Sequence, residues 1–188
     1  MSSLLLVIDL QKSFINKHTE KLPERIEQLI NSNQYDNIVF TRFINFEDSI
    51  FVKKLNWSGC LQEEDRKIVI DTKNNPIFDK SIYSSVNKEL IDYIEKNKIT
   101  EIYLCGIDTE CCVLKTAFDL FELGYNVYVL KDYCACTHGV ERHNNALDIL
   151  RRNIGKEYIV WKSSIKSNSY ILPNVYLNDY IEKNNNKR

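Results

Sequence analysis

Five short apolar runs stand out along the chain, each closed by a polar or turn-forming residue. Leu4-Leu5-Leu6-Val7-Ile8 stops at Asp9, and residues 37–41 (NIVFT), 101–106 (EIYLCG), 126–131 (NVYVLK) and 157–161 (EYIVW) repeat the arrangement. Runs of this length without alternation predict strands buried on both faces of a parallel sheet. Residues 68–71 are a weaker sixth strand. Between the runs the apolar spacing becomes helical, at Leu22, Ile26, Leu29 and Ile30 and again at Val86, Leu90, Ile91 and Ile94. Thr109 is placed to N-cap a helix through Val113, Ala117, Leu120 and Phe121, which Gly124 ends, and residues 137–152 repeat that logic. Residues 42–67 show no clear period apart from a short helix expected within 48–55.

Strands alternating with helices at this spacing require right-handed crossovers. The predicted fold class is therefore doubly wound α/β, a mostly parallel sheet with helices on both faces. With no repeat or linker, residues 1–188 are expected to form a single domain, with 182–188 as a polar tail. Ligands of such sheets bind at the carboxyl ends of the strands, where loops meet helix N-termini.

Composition narrows the partners. Hydrophobic residues make up 44% and charged residues 27% of the chain, enough of each for a packed core and a solvated surface. Twenty-five Lys plus Arg against 26 Asp plus Glu leave a formal charge of -1, so neither nucleic acid nor an acidic membrane is an expected partner. No apolar stretch approaches the roughly 20 residues of a membrane helix. The run at Leu4 lacks a basic region before it and breaks at Asp9, so it reads as a strand and not as an export signal. The six cysteines are then expected as free thiols in the cytoplasm.

Two residues at predicted strand ends carry candidate chemistry. Asp9 closes the first strand, where a carboxylate serves either a site or a turn. Cys112 falls in the first turn of the helix after Gly106, where unpaired N–H groups and the helix dipole favour a thiolate and an oxyanion. Cys111 competes with it, because neighbours about 100° apart on a helix cannot both face one cleft. Cys60, Cys105, Cys134 and Cys136 read as small buried hydrophobes, and Cys134-Ala135-Cys136 lacks the usual two-residue gap of a metal or redox pair. Lys80 is locally indistinguishable from the other basic residues.

Three segments change that. Leu6-Val7-Ile8-Asp9-Leu10-Gln11-Lys12-Ser13-Phe14, Phe78-Asp79-Lys80 and Cys105-Gly106-Ile107-Asp108-Thr109-Glu110-Cys111-Cys112-Val113 closely resemble the isochorismatase-like cysteine hydrolase family, which includes nicotinamidases and carbamoyl-amide hydrolases. The resemblance continues through Thr116-Ala117, Gly124-Tyr125-Asn126-Val127 and Asp132-Tyr133-Cys134-Ala135. It implies a triad of Asp9, Lys80 and Cys112, selecting Cys112 because it immediately precedes the helix Val. It also implies a cis peptide at Ile107-Asp108 and an oxyanion hole from the backbone N–H groups of Asp108 and Cys112. Gln11, Phe14, Phe43 and Trp57 become candidates for the substrate pocket.

Nicotinamidases in the family add a metal held by an Asp-x-His pair and a further His. Here residues 41–48 (TRFINFED) contain no histidine, and His18, His138 and His143 lie elsewhere, so no metal and no cofactor are expected. His143 is assigned a structural hydrogen bond and His138 a surface position. The expected activity is metal-free cleavage of a C–N bond in a small amide, ureido or carbamoyl compound through a thioester. Asp9 acts as base, and Lys80 favours the thiolate. The alternatives are vinyl-ether hydrolysis of the isochorismatase type, whose enzymes lack the cysteine, and a non-catalytic thiol or small-molecule binder. A homo-oligomer, dimer or tetramer, is expected.

Overall fold

The computed structural model describes residues 2–160. Trp161, the last residue of the fifth predicted run, and the expected tail at 182–188 lie outside the described residues. Six strands form one sheet: β1 Ser2–Ile8, β2 Asn37–Phe43, β3 Ile77–Lys80, β4 Ile99–Ile107, β5 Asn126–Ala135 and β6 Ile159–Val160. Their order is β3-β2-β1-β4-β5-β6 with every neighbouring pair parallel. The strand order reverses between β1 and β4, the switch point beyond which ligands of doubly wound sheets bind.

Alternation within the apolar runs divides the core in two. Leu4, Leu6 and Ile8 face one layer with Leu90, Ile91 and Ile94 of helix α4 (Lys88–Lys96), Ala117 and Leu120 of α5 (Leu114–Glu122), and Leu147, Leu150 and Ile154 of α6 (Val140–Ile154). Leu5 and Val7 face the other layer with Leu22, Ile26, Leu29 and Ile30 of α1 (Leu22–Asn31). Successive strand residues point to opposite faces, so a run without polar interruption packs both layers at once. The labels α2 and α3 denote Ile50–Leu55 and Glu63–Arg66. The first of these is the short helix expected within 48–55, with Ser49 as its cap.

The sixth strand differs from its expected position. Residues 68–71 are not a strand: they cross beside the β1 exit through a single antiparallel bridge between Gln11 and Ile68 and a bond from Val69 N to Leu10 O. The edge strand is β3, with Lys80 opposite Phe43. Two of its four residues, Ile77 and Asp79, are exposed, so a one-sided edge leaves no apolar run to read. Helix α4 begins after Asn87, whose side chain accepts from Leu90 N, two residues later than the apolar spacing suggested.

Thr109 is not an N-cap. Asp108 precedes a π-helical turn over Thr109–Val113, where Asp108 O accepts from both Cys111 N and Val113 N, and the α-helix starts only at Leu114. A wider turn adds a residue without breaking the helix, a device common at functional sites. Phe121, predicted on the buried face, is exposed. Gly124 ends the helix at φ 84°, as its position implied.

Gly106 lets β1 and β4 approach at their site ends. It pairs with Ile8 at φ 122°, and a Cβ there would lie 2.0 Å from Ile8 O. A clash with backbone cannot be relieved by a rotamer change. Gly106→Ala is expected to yield insoluble protein or to lose about 3 kcal/mol or more of stability. Urea denaturation measures this, and a wild-type midpoint would contradict the account.

Candidate active site

β1, β3 and the turn after β4 each deliver one ionisable side chain to the same buried point. Asp9 follows β1 at φ 50°, a left-handed conformation that Asp tolerates better than most residues. Lys80 is the last residue of β3 and Cys112 lies in the π-helical turn. Lys80 Nζ stands 2.7 Å from Asp9 Oδ2 and 3.5 Å from Cys112 Sγ. It also donates to the carbonyls of Ile82 at 3.0 Å and Tyr83 at 3.1 Å. The Asp9 and Lys80 side chains are 0% and 2% exposed, so the ammonium replaces its water shell with protein oxygen.

Thr41 at the end of β2 fixes the carboxylate. Its hydroxyl donates to Asp9 Oδ1 at 2.7 Å and accepts from Asp9 N at 3.2 Å. Sequence reasoning closed a strand at Thr41 without assigning it a task; the only signal was a hydroxyl where an apolar run ended. Lys80 Nζ also lies 5.0 Å from the centre of the Phe43 ring, a cation–π contact.

Burial and charge pull against one another. For Lys80, burial alone would lower the pKa, but the Asp9 carboxylate and Cys112 outweigh it and hold the ammonium above its usual range. For Cys112, burial pushes the thiol well above its ordinary value, against the downward pull of Lys80 and with the upward push of Asp9. Lys80 thus favours the thiolate, as expected, but burial outweighs it. The triad already holds one carboxylate and one ammonium, and a second buried anion would be uncompensated. Cys111 is half-buried, and burial followed by Asp108 and Glu110 pushes its thiol up to about 11. Of the two thiols, Cys112 is the one within hydrogen-bond reach of Lys80.

The four pocket candidates divide. Phe14 stacks on Trp57 at 5.9 Å, and Phe43 meets Trp57 at 5.6 Å and Phe51 at 5.1 Å. Phe51 in turn meets Tyr83 at 5.0 Å. Sequence reading missed Phe51 and Tyr83. Gln11 is fully buried and spends its amide inside the protein, accepting from Phe43 N and donating to Phe43 O and Arg66 O. It therefore ties the β1 exit to β2 and to the end of α3, a positioning task and not a ligand contact. Arg66, also unassigned from sequence, organises residues 45–61 by donating to the carbonyls of Asn45, Cys60 and Leu61.

The Ile107–Asp108 peptide is cis. The Asp108 carboxylate accepts from Thr137 N at 2.6 Å and Thr137 Oγ1 at 2.8 Å, and burial raises its pKa. Thr109 Oγ1 and His143 Nδ1 are 2.8 Å apart, and His138 is exposed.

The donor set of a nicotinamidase metal does not fit at the end of β2. Thr41 is engaged with Asp9, Arg42 with Asp79, Asn45 with Trp57 and Gly59, and Asp48 with Lys53, and residues 41–48 provide no imidazole.

Comparison with known proteins agrees with this architecture. A family model described as an isochorismatase domain matches residues 3–160. Isochorismatase family protein 2A of Dictyostelium discoideum is 31% identical over 142 residues, 70% of this chain and 65% of that protein. Isochorismatase family protein 1A of the same organism is 28% identical over 143 residues, 75% of this chain and 66% of its own length. The matched region thus spans just under two thirds of these relatives. The fold is similar to the solved pyrazinamidase of Pyrococcus horikoshii in complex with zinc, with a TM-score of 0.71 and 24% identity over 81% of this chain and 96% of that one. The nicotinamidase PncA from Bacillus subtilis also gives a TM-score of 0.71, at 22% identity over 86% and 100%. With the family model spanning nearly all of the described residues, this chain belongs to the isochorismatase family.

Proposed function

We propose that this chain is a metal-independent cysteine hydrolase cleaving the C–N bond of a small amide, ureido or carbamoyl compound. The observation that carries this reading is the buried contact of Lys80 Nζ with both Asp9 Oδ2 and Cys112 Sγ, at 2.7 and 3.5 Å. A carboxylate paired with an ammonium beside a thiol suits acid–base and nucleophilic work on a neutral substrate. Vinyl-ether hydrolysis gives the thiol no task.

The raised thiol pKa sets the order of events. Burial pushes the Cys112 thiol up, and in this reading Asp9 takes the Sγ proton as the sulfur attacks the carbonyl carbon. The negative charge passes from Asp9 to the substrate oxygen, so no net buried charge is created. The oxyanion that forms is held by the backbone N–H groups of Asp108 and Cys112. Asp9 then passes its proton to the departing nitrogen as the C–N bond breaks, leaving a thioester. Water attacks the thioester with its proton going to Asp9, and the expelled sulfur recovers that proton. Lys80 remains charged throughout, compensating Asp9 before each transfer and the sulfur during it. The ring face of Phe43 and the neighbouring Trp57 and Phe14 favour a flat or apolar substituent beside the carbonyl.

Release of ammonia or amine from a panel of such compounds tests the reading. Cys112→Ser is expected to lower turnover by about 10^4-fold or more, the scale of losing a nucleophile, whereas Cys111→Ser keeps it. Undiminished turnover in Cys112→Ser would overturn the assignment.

Lys80→Met tests the electrostatics. Leaving Asp9 buried without its partner is expected to cost about 3 to 5 kcal/mol in urea denaturation. Because the folded pKa of Lys80 is raised, the pair's contribution is fully present below the ordinary lysine value of 10.5 and is lost only as pH rises through the higher folded value. The gap between the two proteins should therefore persist to about that pH. Removing the cation also raises the Cys112 pKa, moving the alkaline onset of Cys112 alkylation by iodoacetamide to higher pH. An unmoved onset would contradict the role of Lys80.

A further inference from the structure

Beside the triad, the carboxyl ends of β4 and β5 bring a second set of ionisable side chains together. Glu110 lies in the turn that carries Cys112, while Cys136 directly follows β5 and His138 precedes α6. One donor atom from each lies within 4.8 Å of the other two. Glu110 Oε1 is 3.5 Å from His138 Nδ1. The thiol is 2% exposed, whereas the His138 side chain is 64% exposed and that of Glu110 19%. A buried sulfur with imidazole and carboxylate at its rim leaves a path from solvent.

These donors are chemically matched. Thiolate, imidazole and carboxylate together form the borderline-soft set that binds zinc, and tetrahedral bond lengths place such donors about 3.5 Å apart. The donor atoms here stand within 4.8 Å of one another. Cys136 Sγ accepts from His138 N at 3.4 Å. Arg142 Nη1 stands 3.5 Å from Glu110 Oε1, and its 61% exposed side chain is able to swing away. Thr137 Oγ1 lies 3.2 Å from His138 Nδ1 and also donates to Asp108 Oδ2.

We propose that Glu110, Cys136 and His138 bind a zinc-like divalent cation, with a fourth position left to water. The ion would displace the Cys136 proton and tie the nucleophile turn to the segment after β5, which already holds Asp108 through Thr137. Its place is structural, outside the triad. It shares no residue with the nicotinamidase-type set that the β2 end lacks.

The test uses reduced, chelator-stripped, tag-free full-length protein titrated with cobalt(II). One equivalent is expected to bind, with a sulfur-to-cobalt charge-transfer band in the near ultraviolet that zinc abolishes by displacement. The band should disappear in Cys136→Ser, weaken with loss of affinity in His138→Ala and Glu110→Gln, and persist in Cys112→Ser. Because His138 is exposed, His138→Ala remains decisive if Cys136→Ser does not fold. Saturating zinc should raise the melting temperature of the wild type but not of His138→Ala. Absence of stoichiometric cobalt binding, a band indifferent to both Cys136→Ser and His138→Ala, or a band lost in Cys112→Ser would each overturn the proposal.

Discussion

A carboxylate and an ammonium taken out of water together cost several kcal/mol each in lost hydration, and their attraction offsets this only when the remaining hydrogen-bonding capacity is met. The Asp9–Lys80 pair meets it closely: Thr41 serves one carboxylate oxygen and Lys80 the other, while the carbonyls of Ile82 and Tyr83 receive the ammonium. The rest of the site depends on this pair. It sets the polarity in which Cys112 sits, and it makes a further resting anion unfavourable. The proposed reaction follows from this, with a proton passing from the thiol to Asp9 as the sulfur attacks.

The sheet makes such a pair possible. Parallel strands end on one side, so β1, β2 and β3 present Asp9, Thr41 and Lys80 from adjacent ladders without a long side-chain reach. The order reverses between β1 and β4, leaving room above Asp9 for the turn that holds Cys112. Gly106 permits the two strands to close at that point. The π-helical turn then gives the Cys112 side chain its direction while Val113 continues into the core. Within residues 42–67 three carbonyls converge on Arg66, and Phe43, whose ring lies beside Lys80, packs against Phe51 and Trp57.

Much of the frame was legible in the chain. Apolar runs without alternation specify doubly covered strands because both pleat faces must be buried, and helical spacing specifies the layers that cover them. The sheet, the helices α1, α2 and α6 and the stop at Gly124 follow from such local rules. β3 escaped because an edge strand buries only part of its surface. The turn at Cys112 escaped because Thr109 is a good cap by composition, whereas Asp108 O takes two bonds, from Cys111 N and Val113 N, that composition does not show.

The sequence by itself determined the fold class, the strand-end position of Asp9 and, through three spaced motifs, the grouping of Asp9, Lys80 and Cys112. Only the tertiary structure decided the electrical state of that group, because a pKa depends on burial and on distances between residues far apart in the chain. It likewise turned Gln11 from a pocket candidate into an internal tie and gave Thr41 a task. It also set Glu110, Cys136 and His138 side by side, since their proximity is a property of two neighbouring strand ends and not of either segment alone.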